Sequence, residues 1–264
     1  MVKAFHYWQV DAFSAQGFGG NPAAVLPLET WPTDAELLRV AQKLALPACA
    51  FAVKDENGAA DWELCWFSAA GEIALCGHAT LAAAHVLLNC DGKGAVTFRT
   101  RQSGLLEVKR EGAGYTIALP AIATEPKSHP QAAALLGALP TETHRSALRH
   151  NIFLFENEAA IRALTPDFVG LAMLGNDQFI CTAPGDSKDI VSRVFVPGGG
   201  ANEDSVTGSA HAALAPFWAA KLGRTHFTAH QASERGGDLT LRLDGSRVWL
   251  GGQCVSVSEG DVVS

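Results

Sequence analysis

The sequence contains one segment twice, and this repeat constrains the fold more than any other feature. Residues 72–88 read EIALCGHATLAAAHVLL, and residues 203–219 read EDSVTGSAHAALAPFWA. Glu72 aligns with Glu203 and Gly77 with Gly208, so the copies lie 131 positions apart (77 to 208), about half of the 264-residue chain. We therefore predict two similar domains, residues 1–118 and 119–255, with the tail 256–264 able to return to the first.

Each half alternates strand and helix patterns around one strongly apolar helix. Thr33 followed by Glu36 is typical of a capping box, and it predicts the start of a helix. A glycine-rich loop at residues 17–20 separates the first two predicted strands, and the Pro/Ala-rich segment 120–130 is the best domain boundary. In the second half, the segments HPQAAALLGA and TPDFVGLAML are predicted helices. The pattern predicts a mixed α+β fold in both halves.

Composition excludes several classes of protein. The net charge of −7 and pI near 5.7 disfavour nucleic acid or a membrane surface as a partner. The N-terminus does not resemble a signal peptide and the longest apolar run is too short for a membrane span, so we expect a cytoplasmic protein. The six cysteines are scattered, and His85, His211 and His230 lack metal spacing, so we expect reduced thiols and no metal.

The N-terminal ends of the two apolar helices are the candidate functional sites. A helix that is apolar nearly all round is buried, and only its ends remain available. Unpaired N–H groups and the helix dipole make an N-terminus suitable for an anion. Two such ends facing one cleft between domains would suit a small carboxylate substrate. The alternative is that these are ordinary helix starts, with Thr207 or Ser209 as the cap; the duplication favours a site.

Five segments of the sequence together carry a resemblance to a known family: VDAFSAQGFGGNPAAV, EIALCGHATLAAAHVL, FVPGGGANEDSVTGSAHAALAPFWAAKLG, AHQASERGG and GGQCVSV. On these segments, which extend from the first predicted strand to the last, the chain resembles the PhzF (phenazine-biosynthesis-like) family. The resemblance, which extends to diaminopimelate epimerase and proline racemase, implies two pseudo-symmetric domains. Each is a curved, mixed or antiparallel sheet wrapped around a central helix, with the active site in the interdomain cleft. It also implies cofactor-independent isomerase or epimerase chemistry on a small carboxylate-bearing metabolite.

The sequence departs from this family at a catalytic position. PhzF-like proteins carry a Ser-Glu pair before a short strand, and its Glu is the principal proton shuttle. The matching stretch here is LPACAF, where Ala48 stands in place of the Glu and Cys49 follows. The usual Pro of EDPVTGS is Ser205 here. In the epimerase relatives two cysteines transfer the proton; Cys76 lies near one of their positions, and the other falls at or beside Ser205.

These matches give the candidate site residues. Proton transfer is assigned to Asp204, His78 and Cys76, and substrate binding to Asn21, Gly77, Thr207, Gly208 and Ser209. Each assignment has an alternative. Asp204 can be a helix-dipole partner, His78 a histidine bonded to a backbone carbonyl, Cys76 a packing residue, and the Gly-Asn-Pro around Asn21 a simple turn.

Two hypotheses follow for the function. The first is a small-molecule isomerase, expected to be a homodimer and to need no cofactor, that moves a proton using Asp204 and His78. The second is a protein of the same fold that binds a small acid but has lost catalysis with the family glutamate. The first predicts exchange of a substrate C–H proton with solvent, and the second predicts binding without exchange.

Overall fold

The computed structural model describes residues 3–264, which divide into two compact units. The first unit contains the chain up to Leu119 together with Gly251–Ser264. The second contains Pro120–Leu250. Both combine strands and helices, which confirms the predicted α+β class.

The first unit is a mixed sheet with one helix on each face. Its elements are β1 (Ala4–Ala12), β2 (Asn21–Leu28), α1 (Asp34–Leu44), β3 (Ala48–Lys54), β4 (Trp62–Ser68), β5 (Gly71–Ile73), α2 (Gly77–Asp91), β6 (Ala95–Thr100), β7 (Leu105–Glu111), β8 (Gly114–Pro120), whose last residue belongs to the second unit, and, from the end of the chain, β18 (Cys254–Val263).

The strand order of this unit is β18–β1–β2–β3–β4–β6–β7–β8, with β5 paired to β4. The pairs β2–β3 and β4–β6 are parallel, and the others are antiparallel. Parallel neighbours need a crossover connection, which α1 and α2 supply. Helix α2 contacts β1, β2, β3, β6, β7 and β18, so the sheet surrounds it and eleven of its fifteen residues are buried.

The second unit contains the other elements. They are β9 (Glu125–Pro126), α3 (Pro130–Leu135), β10 (Glu142–Arg145), β11 (His150–Leu154), α4 (Glu158–Arg162), α5 (Phe168–Ala172), β12 (Gln178–Pro184), β13 (Ile190–Val196), β14 (Ala201–Asp204), α6 (Gly208–Leu222), β15 (His226–Gln231), β16 (Gly237–Asp244) and β17 (Arg247–Gly252), whose last two residues belong to the first unit.

The pairing of these strands follows the same scheme as in the first unit. The order is β9–β10–β11–β12–β13–β15–β16, with β14 paired to β13. Here β11–β12 and β13–β15 are the parallel pairs. The first is bridged by α4 and α5, and the second by α6. Helix α6 is as apolar as α2 and is likewise mostly buried.

Helix boundaries show which local signals determined structure. The Thr33 hydroxyl accepts a hydrogen bond from the Glu36 amide, and the Glu36 carboxylate accepts one from the Thr33 amide. The predicted capping box is therefore present at the start of α1. The pattern HPQAAALLGA predicted a longer helix than α3, and TPDFVGLAML a longer one than α5. Helix α4 was not predicted, because five residues are too few to show a helical period.

A proline inside α6 leaves a backbone carbonyl that another segment uses. Pro216 has no N–H, so it cannot donate to the carbonyl of Ala212 four residues earlier. The amide of Ile122 donates to that carbonyl instead, at 3.1 Å. The segment that enters the second unit is therefore attached to the helix at the point where the proline interrupts its hydrogen bonds.

A buried side-chain hydrogen bond joins α6 to the sheet of the second unit. The Thr182 hydroxyl, on β12, donates to the Val191 carbonyl at 2.8 Å and accepts from the indole N–H of Trp218 at 3.0 Å. Thr182 is fully buried and Trp218 is 4% exposed, so neither has water as an alternative partner.

We expect Thr182→Val to lower the free energy of unfolding by about 1–3 kcal/mol, because it leaves the buried Trp218 N–H without an acceptor. Adding Trp218→Phe removes that donor, so the double variant should be less destabilised than the sum of the single variants. Urea unfolding of wild type, both single variants and the double variant measures this coupling energy. Simple additivity would show that the bond contributes nothing to stability.

Candidate functional site

The start of α2 brings Cys76 and His78 together. Cys76 is the residue before the helix, and its side chain makes no capping hydrogen bond. Its sulfur lies 3.5 Å from Nδ1 of His78, and the two residues are 6% and 8% exposed. A thiol and an imidazole in contact can share one proton, so this pair has the chemistry of a general acid–base group. Thr80 fixes the turn, because its hydroxyl donates to the Cys76 carbonyl at 2.6 Å.

The glycine-rich loop presents Asn21 at the start of β2. Asn21 is fully buried and pairs with Ala12 on β1. Gly20 has φ of +64°, and any side chain there would collide with the Ala12 carbonyl oxygen. The loop is also held by Asp11, whose carboxylate accepts from the Phe18 amide at 2.9 Å. Glycine is therefore required at position 20 for a steric reason, and the Gly-Asn-Pro sequence fixes where Asn21 lies.

The start of α6 brings Asp204 and Thr207 together. Asp204 ends β14 and is partly exposed, while Thr207 is the residue before the helix. The Thr207 hydroxyl does not cap the helix; it donates to Oδ2 of Asp204 at 2.6 Å. The Ser209 hydroxyl is in contact with the side-chain amide of Gln178, whose Nε2 donates to it at 3.0 Å. Thr207 therefore occupies the N-cap position, as the alternative interpretation of this helix start expected, but its side chain makes no capping hydrogen bond.

Two buried or partly buried glutamines at this helix start were missed by sequence reasoning. Gln178 contacts Ser209, and Gln231 contacts Asp204 and Thr207. Gln231 lies within AHQASERGG, a segment that carried the family resemblance without a role assigned to it. That segment was the available signal, whereas nothing in the sequence distinguished Gln178.

His211 supports the same helix start from one turn further along. Its Nδ1 donates to the Thr207 carbonyl at 2.8 Å, so its Nε2 accepts from the Ser192 hydroxyl at 3.3 Å. It is fully buried, and this burial lowers the pKa of His211 to about 4. His211 is therefore neutral at physiological pH and acts as a structural donor.

Ala48 and Cys49 lie on opposite faces of β3. Cys49 and Phe51 belong to the core cluster that includes Leu37 of α1. Because side chains alternate along a strand, Ala48 lies on the other face, the one that packs against α2. Burial raises the pKa of the Cys49 thiol to about 12. Cys49 therefore cannot take over the role of a carboxylate at position 48.

The described part of the chain, residues 3–264, contains no group of three or more His, Cys, Asp or Glu that could hold a metal ion. None of the helices in that part is long and apolar enough to cross a membrane.

Comparisons with known proteins agree on one family. A family model described as "Phenazine biosynthesis-like protein" matches residues 10–260. An uncharacterised isomerase of Pseudomonas aeruginosa is 43% identical over 264 residues, 99% of each chain. A PhzF-family phenazine biosynthesis protein of Enterococcus faecalis has a crystal structure with a TM-score of 0.92 at 38% identity, covering 98% of this chain and 99% of that one. A hydroxyproline epimerase of Agrobacterium vitis shares the fold, with a TM-score of 0.61 at 11% identity over 98% of this chain and 92% of that one.

The buried neutral state of His211 makes stability depend on pH. The unfolded chain binds a proton at His211 near its ordinary pKa of 6.5, but the folded chain binds it only near 4. The contribution of His211 to the free energy of unfolding is therefore complete above pH 6.5 and is lost as pH falls towards 4. Between pH 7.5 and 4.5 we expect this histidine to account for about 2–3 kcal/mol of lost stability.

Denaturant unfolding of wild type and His211→Gln at both pH values tests this, because glutamine can still donate to the Thr207 carbonyl but does not titrate. When the pH is lowered from 7.5 to 4.5, the variant should lose about 2–3 kcal/mol less stability than wild type. An equal loss in both proteins would contradict the assignment.

Proposed function

Because the chain belongs to the phenazine-biosynthesis-like (PhzF) family, we propose that it is a cofactor-independent isomerase that moves a proton on a small carboxylate-bearing metabolite. Relatives of the chain that match along almost its full length carry the name isomerase, which supports this class of reaction.

The observation that carries the proposal is the carboxylate of Asp204 beside the N-terminus of α6. The side chain is partly exposed, and the Thr207 hydroxyl holds Oδ2 at 2.6 Å. A carboxylate in a fixed orientation can accept a proton from a substrate carbon or, once protonated, donate one, which is what a general acid–base group requires. Asp204 takes this role in the proposed reaction.

The start of α2 supplies a second acid–base group. The proposed reaction has two proton transfers, the removal of a proton and the return of one. Asp204 carries out one of them, and the Cys76–His78 pair carries out the other. The proposed binding groups for a substrate carboxylate are Gly77 at the start of α2, and Gly208 and Ser209 at the start of α6, because helix N-termini offer N–H donors and positive potential. Asn21 and Thr207 are the other proposed substrate-binding residues.

The chemical step is a proton shift. The base removes a proton from a carbon next to an electron-withdrawing group, and the electron pair of the C–H bond moves into that group. A proton is then returned to another carbon or to the opposite face. No oxidant, reductant or second substrate is consumed.

One observation favours a second function, a small-acid-binding protein without isomerase activity. Ala48 has only a methyl group at the position of the family glutamate, and Cys49 faces the opposite side of the strand. A protein lacking the main proton shuttle could retain the binding groups alone. The two functions differ in whether a bound acid exchanges its C–H proton.

We expect wild type to catalyse exchange of a substrate C–H proton with solvent, and Asp204→Asn to reduce the rate by about 10²–10⁴-fold, the usual contribution of a general acid or base. The measurement is loss of the proton signal by NMR in D₂O across a panel of small carboxylic acids. Asp244→Asn makes the same chemical change on an exposed carboxylate of β16 and should leave the rate unchanged.

Equal rates in wild type and Asp204→Asn would show that Asp204 is not the proton-transfer group. Saturation-transfer NMR on the same panel detects binding separately. Binding of an acid without any exchange would support the second function instead of the first.

Restoring a carboxylate at position 48 should raise activity. We expect Ala48→Glu to accelerate solvent exchange on family-type acids by about 10²-fold or more, because it adds the missing proton shuttle. Ala48 is fully buried, so the variant should also unfold at lower denaturant concentration.

The control for this variant is Ala48→Gln, which has the same size and cannot exchange a proton. Cys49→Ala provides a second control, because Cys49 lies in the core cluster with α1 and should not affect exchange. If Ala48→Gln matched Ala48→Glu, the gain would come from shape and not from proton transfer.

A further inference from the structure

We infer that Gln231 is a positioning residue for the carboxylate of Asp204 and that it acts through Thr207; this rests on the proposed proton-transfer role of Asp204. Gln231 ends β15 and is fully buried. Its backbone pairs with Ser192 on one side and Gly237 on the other. The side chain therefore starts from a point that the sheet fixes from both sides.

The amide group of Gln231 bridges the two ends of the turn before α6. Its Nε2 donates to the Asp204 carbonyl at 2.7 Å, and its Oε1 accepts from the Thr207 amide at 2.8 Å. Only one orientation of the amide satisfies both bonds, because a flipped group would set N–H against N–H and oxygen against oxygen. The turn from Asp204 to Thr207 is thus closed by one side chain.

The same amide determines the direction of the Thr207 hydroxyl. Nε2 of Gln231 also lies 3.4 Å from the hydroxyl oxygen of Thr207 and donates a hydrogen bond to it. A hydroxyl has one hydrogen, and since the amide offers only hydrogens here, that hydrogen is left for Oδ2 of Asp204. The result is a chain of donors from Gln231 through Thr207 to the carboxylate.

Thr207 is held at each of its polar groups. Its amide donates to Gln231, its carbonyl accepts from His211 at 2.8 Å, and its hydroxyl donates to Asp204. It is 6% exposed, so water does not readily replace a lost partner. A group that transfers a proton must be held close to its reacting geometry, and displacement by about 1 Å can cost about 10²-fold in rate.

The first test separates positioning from simple stability. We expect Thr207→Val to lower kcat for solvent exchange by about 10²-fold, because the Asp204 carboxylate loses the hydrogen bond that fixes its orientation. Thr207→Ser keeps the hydroxyl and should recover most of the rate. Circular dichroism and thermal unfolding identify variants that have lost the fold.

Gln231 is tested with two variants of similar size. Gln231→Met removes all the hydrogen bonds of the side-chain amide, and Gln231→Glu replaces the donor by an acceptor that competes for the Thr207 hydrogen. Both should reduce kcat, and combining either with Thr207→Val should add little, since the residues act in one chain. Fully multiplicative losses would show that Gln231 does not act through Thr207.

A second measurement does not depend on activity. The ¹³C resonance of the Asp204 carboxyl carbon should shift in Thr207→Val and Gln231→Met and stay near the wild-type value in Thr207→Ser. If wild type exchanges no substrate proton, the proposed function fails while this resonance still decides the positioning. An unchanged resonance in Thr207→Val and Gln231→Met would overturn the inference.

Discussion

The burial of one apolar helix in each unit is the constraint on which the rest of this structure depends. Most side chains of helices α2 and α6 are apolar on all sides of the helix, so these helices are stable only when strands cover them. The crossovers that place each helix also make the strand pairs on either side of it parallel. Once the length of the helix is covered, its N-terminal end is where chemistry can be placed.

The two helix starts differ in what brings their polar groups together. At α2 the polar groups are a thiol and an imidazole two residues apart, which local sequence alone brings into contact. At α6 they are a carboxylate and a hydroxyl whose orientation depends on Gln231, a residue from a later strand. The first arrangement is locally encoded, whereas the second exists only after the sheet has formed.

This difference explains how much the sequence could predict. The alternating strand and helix patterns predicted the α+β class, and the capping box at Thr33 predicted the start of α1, because these signals are local. The roles of Gln178 and Gln231 could not be predicted, because each depends on which strands become neighbours. The face on which Cys49 lies also required the strand register.

The proline in α6 has a consequence for how the second unit assembles. Ile122 can bond to the Ala212 carbonyl only when α6 is wound and Pro216 has left that carbonyl without its usual partner. The amide hydrogen of Ile122 is therefore protected from exchange only while the helix is intact. A single amide in the connecting segment, distant in sequence, serves as a reporter of local opening in α6.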